Sequence, residues 1–387
     1  MPFRFVGAAL RSTRLLLGVL VGSAAGLSIA APPEPVELLR SIDRGFTALF
    51  QKVAPCVVVI EARRNEDDSP DGAERAFDFF FGERSSGTNH TEDPTQPRRP
   101  LHSEGSGIVL RADGYIVTNR HVIAGAQSIE VRSYDQRLWE AKVVATDERT
   151  DIAVIKVEGT ALSVASLADS DALKVGQLVG AIGAPFDQDF SFSVGWVSGL
   201  GRTNLLAGST SRNVYEDYIQ TDAFINPGNS GGPLFDVDGR VVGMNTLING
   251  LGRGLAFAIP SNLLRDVADE LIAKGKVRRP WLGVRVIPLT ASRNLRAQIP
   301  ASVQGVVVST VEAGGPASEG DLQPGDVITT INTRPLHTPH DLVRQIRRMQ
   351  PSQTVRLEIL RQNQPLTVSV TVGELPEEDN GRSESER

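Results

Sequence analysis

The chain has 387 residues, 40% of them hydrophobic and 22% charged, with a net charge of −6. That is room for two or three domains with ordinary cores, and the acidic balance excludes a general nucleic-acid binder. Cys56 is the only cysteine, so no intramolecular disulfide can form. Together with five scattered histidines it offers no metal-ligand cluster, and no metal or cofactor is expected. The 37 glycines and 23 prolines lie between many short apolar runs, which points to a mainly β fold with many turns.

Residues 1–34 read as a signal peptide or a membrane anchor. Arg4, Arg11 and Arg14 precede an uncharged run from Leu15 to Ala31, and Ser28-Ile29-Ala30 is a possible cleavage site. The run is nearly long enough to span a bilayer, so both readings stand. Either one places the rest of the chain outside the cytoplasm.

Residues 35–53 carry Leu39, Ile42, Phe46, Leu49, Phe50 and Val53 at helical spacing. Such a helix packs on its own domain or against another subunit. A strand over 56–63 buries Cys56. A polar insertion at 65–103 follows, expected to be a mobile loop, with an apolar cluster over Phe77–Phe81 that is a candidate docking patch.

Short strands then follow closely: 105–110, 115–118, 128–132, 138–145, 152–157, 177–182, 191–198, 214–220, 240–248 and 255–259. This spacing suggests barrels or a sandwich. A helix over Asn262–Lys274 closes the domain, with Ser261 as the expected N-cap and Gly275 as the stop. Residues 276–280 form a basic linker. Residues 281–374 make a smaller α+β unit, with strands at 281–287, 304–311, 326–332, 354–361 and 366–372. Its helix spans Pro339–Met349, capped by Thr338. An acidic tail, 375–387, is expected to be disordered.

One stretch organises the whole, Asn226-Pro227-Gly228-Asn229-Ser230-Gly231-Gly232-Pro233. A serine among glycines can expose its hydroxyl, with bare N–H groups beside it. Gly-x-Ser-x-Gly also fits an α/β-hydrolase elbow, but there the acid and the histidine follow the serine. Here Ser230 is followed by a short strand and a turn, and His337 and His340 lie over 100 residues on. A glycine-rich turn with an incidental serine is the bland alternative. Upstream, His121 follows an apolar strand in Thr118-Asn119-Arg120-His121-Val122-Ile123, and Asp151 opens Ile152-Ala153-Val154-Ile155. The order His121, Asp151, Ser230 permits serine catalysis: His121 takes the Ser230 proton, and Asp151 orients the imidazole. The N–H groups of Gly228, Asn229 and Ser230 are the candidate oxyanion hole.

These residues sit in Gly105–Leu110, Gly114–Val122, Thr150–Val154, Thr221–Leu234 and Gly254–Pro260, and in that combination residues 40–260 resemble the trypsin-like domain of the HtrA (DegP/DegS) family. The resemblance implies two six-stranded β-barrels with the active site between them, and an ATP-independent endopeptidase on a homotrimer. Its substrates would be unfolded or damaged proteins of the periplasm, in a protein secreted across or anchored in the inner membrane. Phe224 lies where the family has a small residue, near the base of the S1 pocket, which implies a shallow pocket. Residues 281–373 resemble the family's PDZ domain. Trp281, Leu282, Gly283 and Val284 match its carboxylate-binding loop for hydrophobic peptide C-termini. Residues 199–213 resemble the loop that senses the PDZ domain, and Arg202 is the candidate sensor. A non-enzymatic holder of unfolded chains is the competing function.

Overall fold

The computed structural model describes residues 35–64, 102–159, 162–184, 190–203, 217–226, 228–248 and 255–376. The targeting segment, the phenylalanine cluster and nearly all of the acidic tail lie outside them. No helix among the described residues is long and apolar enough to cross a membrane. The described residues divide into two compact units between Phe46 and Thr47. The boundary falls inside helix α1, Pro35–Val53. In the first unit Glu37 pairs with Arg44 at 2.6 Å, while Val36, Leu38, Leu39 and Ile42 are exposed. In the second unit the end of α1 packs Leu49, Phe50 and Val53 against Ile182 and Phe235.

Six strands close the first barrel: β1 Val57–Arg63, β2 His102–Val109, β3 Tyr115–Asn119, β4 Ser128–Ser133, β5 Leu138–Asp147 and β6 Ile152–Val157. Their order around it is β1-β2-β3-β6-β5-β4. Strand β2 thus takes the last two residues of the insertion expected at 65–103. Strand β1 is apolar almost throughout because both of its faces are covered. Val58, Ile60, Ile116, Val131 and Ile155 fill the interior. The second barrel is β7 Leu178–Gly183, β8 Ser191–Arg202, β9 Tyr218–Thr221, β10 Pro233–Phe235, β11 Val241–Ile248 and β12 Ala256–Pro260. Val179, Val197, Ile219, Leu234 and Ala258 are in its core.

A one-turn helix, α2 (Arg120–Ile123), follows β3, and α3 (Ser261–Lys274) follows β12. Helix α3 lays Leu263, Leu264, Val267 and Leu271 into one cluster with Ile152, Val154, Val241 and Ile259, so it is shared by both barrels. Gly275 stops it at φ 72°, as expected. Ser261 does not cap it. Pro260 holds that position, and the buried Ser261 hydroxyl donates to the Ala168 carbonyl at 2.8 Å. A buried hydroxyl with an acceptor in reach takes that bond in place of an exposed cap.

The C-terminal domain contains β13 Pro280–Trp281, β14 Val284–Pro288, α4 Arg293–Gln298, β15 Val306–Val311, α5 Pro316–Glu319, β16 Val327–Ile331, β17 Arg334–Pro335, α6 Pro339–Arg347, β18 Thr354–Arg361, β19 Gln364–Thr371 and β20 Gly373–Glu374. The short helices α4 and α5 have no counterpart in the sequence reading, since one or two turns leave too little periodicity. Helix α6 begins with a full capping box between Thr338 and Asp341. The linker is tied down. Arg278 N–H donates to Glu270, and the Arg279 guanidinium pairs with Asp147.

The domain's own clamp is Arg361. Its Nε and Nη2 each reach a different oxygen of Asp326 at 2.8 Å, and Asp326 is 1% exposed. The pairing pushes the guanidinium further above its usual range. Arg361→Met would strand a buried carboxylate, at a cost of roughly 3 kcal/mol. Amide hydrogen exchange in β16 and β18 should then rise by about a hundredfold. Unchanged protection there would mean the pair is dispensable.

Candidate active site

Strand register brings His121 and Asp151 together. Asn119, the last residue of β3, pairs with Ile152, the first of β6. The residues just past each strand end therefore face one another. Asp151 sits at φ 56°, in the left-handed region. That conformation costs about 1 kcal/mol or more for a side-chain-bearing residue. Its surroundings offset this. The Asp151 carbonyl accepts from Arg120 N–H at 3.0 Å and from Asn119 Nδ2 at 3.1 Å. Thr150 donates its N–H and hydroxyl to Asp147, which holds the preceding turn.

The carboxylate is fully engaged. Oδ1 accepts His121 N–H at 3.0 Å. Oδ2 accepts from His121 Nδ1 at 2.7 Å and from the Thr246 hydroxyl at 2.9 Å. A carboxylate only accepts, so Nδ1 carries the ring proton and Nε2 keeps its lone pair. His121 and Asp151 are 7% and 6% exposed.

Ser230 comes from the other barrel, between β9 and β10. It is 2% exposed, and its hydroxyl lies 3.4 Å from the Thr246 carbonyl. Thr246, on β11, thus touches Asp151 through its hydroxyl and Ser230 through its carbonyl. Its loop is docked on the first barrel: Ser106 N–H donates to Ser230 O at 2.8 Å, and the Ser106 hydroxyl to Gly228 O at 2.7 Å. Gly231, at φ 84°, lies so close that a Cβ there would come within 2.0 Å of the Ser106 carbonyl. Only glycine lets the two barrels meet at this point.

Gly228 turns at φ 99°. The Asn229 N–H donates to the Asn226 carbonyl at 2.9 Å, so it is committed to the turn. Of the three expected oxyanion residues, Gly228 and Ser230 have N–H groups that meet no acceptor among the described residues. Thr221, Ala223 and Ile225 are buried in alternation, which turns the intervening Phe224 outward, 60% exposed.

In the C-terminal domain Trp281 belongs to β13, paired with Gly373. Leu282 is buried, and its carbonyl accepts from Ala317 N–H at 2.7 Å. Gly283 bends the loop at φ 76°, and Val284 opens β14. The loop lies beside α6, and Leu282, Val284 and Val286 line a groove with Leu342 and Ile346.

Such an array can generate a serine nucleophile, shuttle its proton and hold an oxyanion. Residues 105–244 match a trypsin-like peptidase domain and residues 280–372 a PDZ domain. DegP-like periplasmic serine endoproteases of Halomonas elongata and Pseudomonas fulva are 40% and 41% identical, over 87% and 86% of this chain and 72% and 71% of their own lengths. The chain belongs to the DegP-like family of serine endoproteases. Among solved structures, the HtrA-type protease AlgW with tripeptide aligns at TM-score 0.67 and 33% identity, covering 87% of this chain and 99% of that one. A serine endoprotease from Yersinia pestis aligns at TM-score 0.56 and 27% identity, over 90% and 100%.

In this DegP-like endopeptidase Arg202 is exposed and donates to Gln220 on the neighbouring strand at 2.8 Å. Among the described residues, this region meets the PDZ domain at Gly201. His340, on α6, pairs with Asp217 at 3.2 Å and lies against Gly201. Burial raises the Asp217 carboxyl above its ordinary range. Thr246, Ser106, Asp217 and His340 were all missed by sequence reasoning. Thr246 meets Asp151 across 95 positions, Ser106 meets Gly228 across 122, and Asp217 meets His340 across 123, where no local pattern marks a partner.

Proposed function

We propose that this endopeptidase cleaves unfolded or damaged periplasmic proteins without ATP, through an acyl-enzyme on Ser230. His121 is the base, Asp151 holds its tautomer, and the N–H groups of Gly228 and Ser230 stabilise the oxyanion. The observation that carries this reading is the chain of contacts from His121 through Asp151 and Thr246 to Ser230. The PDZ groove takes hydrophobic peptide C-termini, and their binding controls activity or captures substrate. The solved AlgW complexes with peptides support this part of the reading by their likeness. The exposed Leu38, Leu39 and Ile42 of α1 support a homotrimer built through that helix. Residues 1–34 export the chain or anchor it in the inner membrane.

The test is the initial rate of casein cleavage with and without a peptide ending in a hydrophobic residue. A rise of at least about fivefold is expected if the groove controls the site. A high rate indifferent to peptide would leave the PDZ domain substrate capture alone. No cleavage under any condition would favour the holder of unfolded chains.

A further inference from the structure

The PDZ groove does not open to free solvent along its whole length. It forms a cavity of about 680 Å³ whose far wall is α3 of the protease domain, through Leu263, Asp266 and Val267. Its near wall is the Leu282–Val286 edge and helix α6. Arg347, the last residue of α6, shares the cavity lining with Trp281, Leu282 and Val284. Its side chain is 14% exposed. Nη2 faces Asp266 on α3 at 3.6 Å, beyond hydrogen-bond range, while Asp266 itself is 46% exposed. Nε and Nη1 are covered and meet no acceptor among the described residues. The neighbouring arginines are better placed. Arg348 pairs with Asp171, Arg279 with Asp147, and Arg278 with Glu270 at 3.5 Å.

A covered guanidinium with idle donors is costly, and a carboxylate in the cavity would offer a bidentate partner. Asp266 holds Arg347 too loosely to compete with one. Resting on the reading of this groove as a site for peptide C-termini, we propose that Arg347 is a second carboxylate-binding group there. It exchanges Asp266 of the protease domain for the terminal carboxylate of the ligand. The loop N–H groups hold the carboxylate from one side, and Arg347 swings from Asp266 to hold it from the other.

The test uses the full chain carrying Ser230→Ala, so that the ligand survives. Fluorescence anisotropy follows a labelled peptide ending in Ala-Val-Leu, as the free acid and as the C-terminal carboxamide. Arg347→Gln is expected to weaken the free acid about tenfold and to leave the carboxamide within about twofold. Arg347→Lys should recover part of the loss, since it keeps the charge without the fork. Asp266→Asn should change the free-acid affinity by no more than about twofold, since Asp266 holds Arg347 only at 3.6 Å. Equal weakening of both peptides by Arg347→Gln, or no weakening of either, overturns the proposal while leaving the groove a C-terminus site. A wild-type background that fails to prefer the acid over the amide overturns the underlying reading as well.

Discussion

Replacing Ser230 with alanine should lower kcat for casein by about 10⁶-fold, to the level left by substrate binding and the oxyanion hole. The methyl group cannot form the acyl-enzyme, and Ser230 is the hydroxyl that the Gly228–Gly232 loop presents at the junction of the barrels. The fold should survive. The Ser230 hydroxyl makes only a long contact, 3.4 Å to the Thr246 carbonyl. The docking bonds of its loop come from main-chain atoms and from Ser106. Thermal unfolding of the variant should therefore overlay that of the wild type. Binding of unfolded chains should persist, which separates cleavage from holding. Cleavage at the wild-type rate with the hydroxyl absent would remove Ser230 from the mechanism.

Asp151→Asn should cost about 10⁴-fold in kcat at neutral pH. The cause is the direction of one proton. Asp151 accepts from His121 N–H, His121 Nδ1 and Thr246. An asparagine that keeps Oδ1 on the main-chain N–H turns its NH₂ toward the ring. Nδ1 must then accept, the proton moves to Nε2, and the base is lost. Size and shape hardly change, and the carbonyl contacts at φ 56° remain, since asparagine tolerates that region as well as aspartate does. Folding and peptide binding at the PDZ groove should stay as they were. A fall of less than about tenfold would mean that His121 finds its tautomer without this carboxylate.

Much of the architecture was readable locally, because period-2 alternation, glycine turns and caps act over a few residues. The strands expected at 128–132, 138–145 and 152–157 are found at 128–133, 138–147 and 152–157, and Thr338 caps α6 as its sequence suggests. Even the order His121, Asp151, Ser230 could be found, since each residue stands at the edge of a β element in its own motif. Ser261 marks the limit of that approach. It has the composition of a cap, but tertiary packing offers its hydroxyl the Ala168 carbonyl, 93 positions away.

What the amino-acid sequence determined by itself was the set of elements, the chemistry available at their ends, and the division into a protease and a PDZ domain. Only the tertiary structure decided which groups meet. It joined Thr246 to Asp151 across 95 positions, Ser106 to Gly228 across 122 and Arg348 to Asp171 across 177. The physical reason is range. Propensity, capping and alternation are set by neighbours within a turn or a strand pair. A hydrogen bond between barrels depends instead on how whole sheets close and dock, a property of the full set of packing contacts.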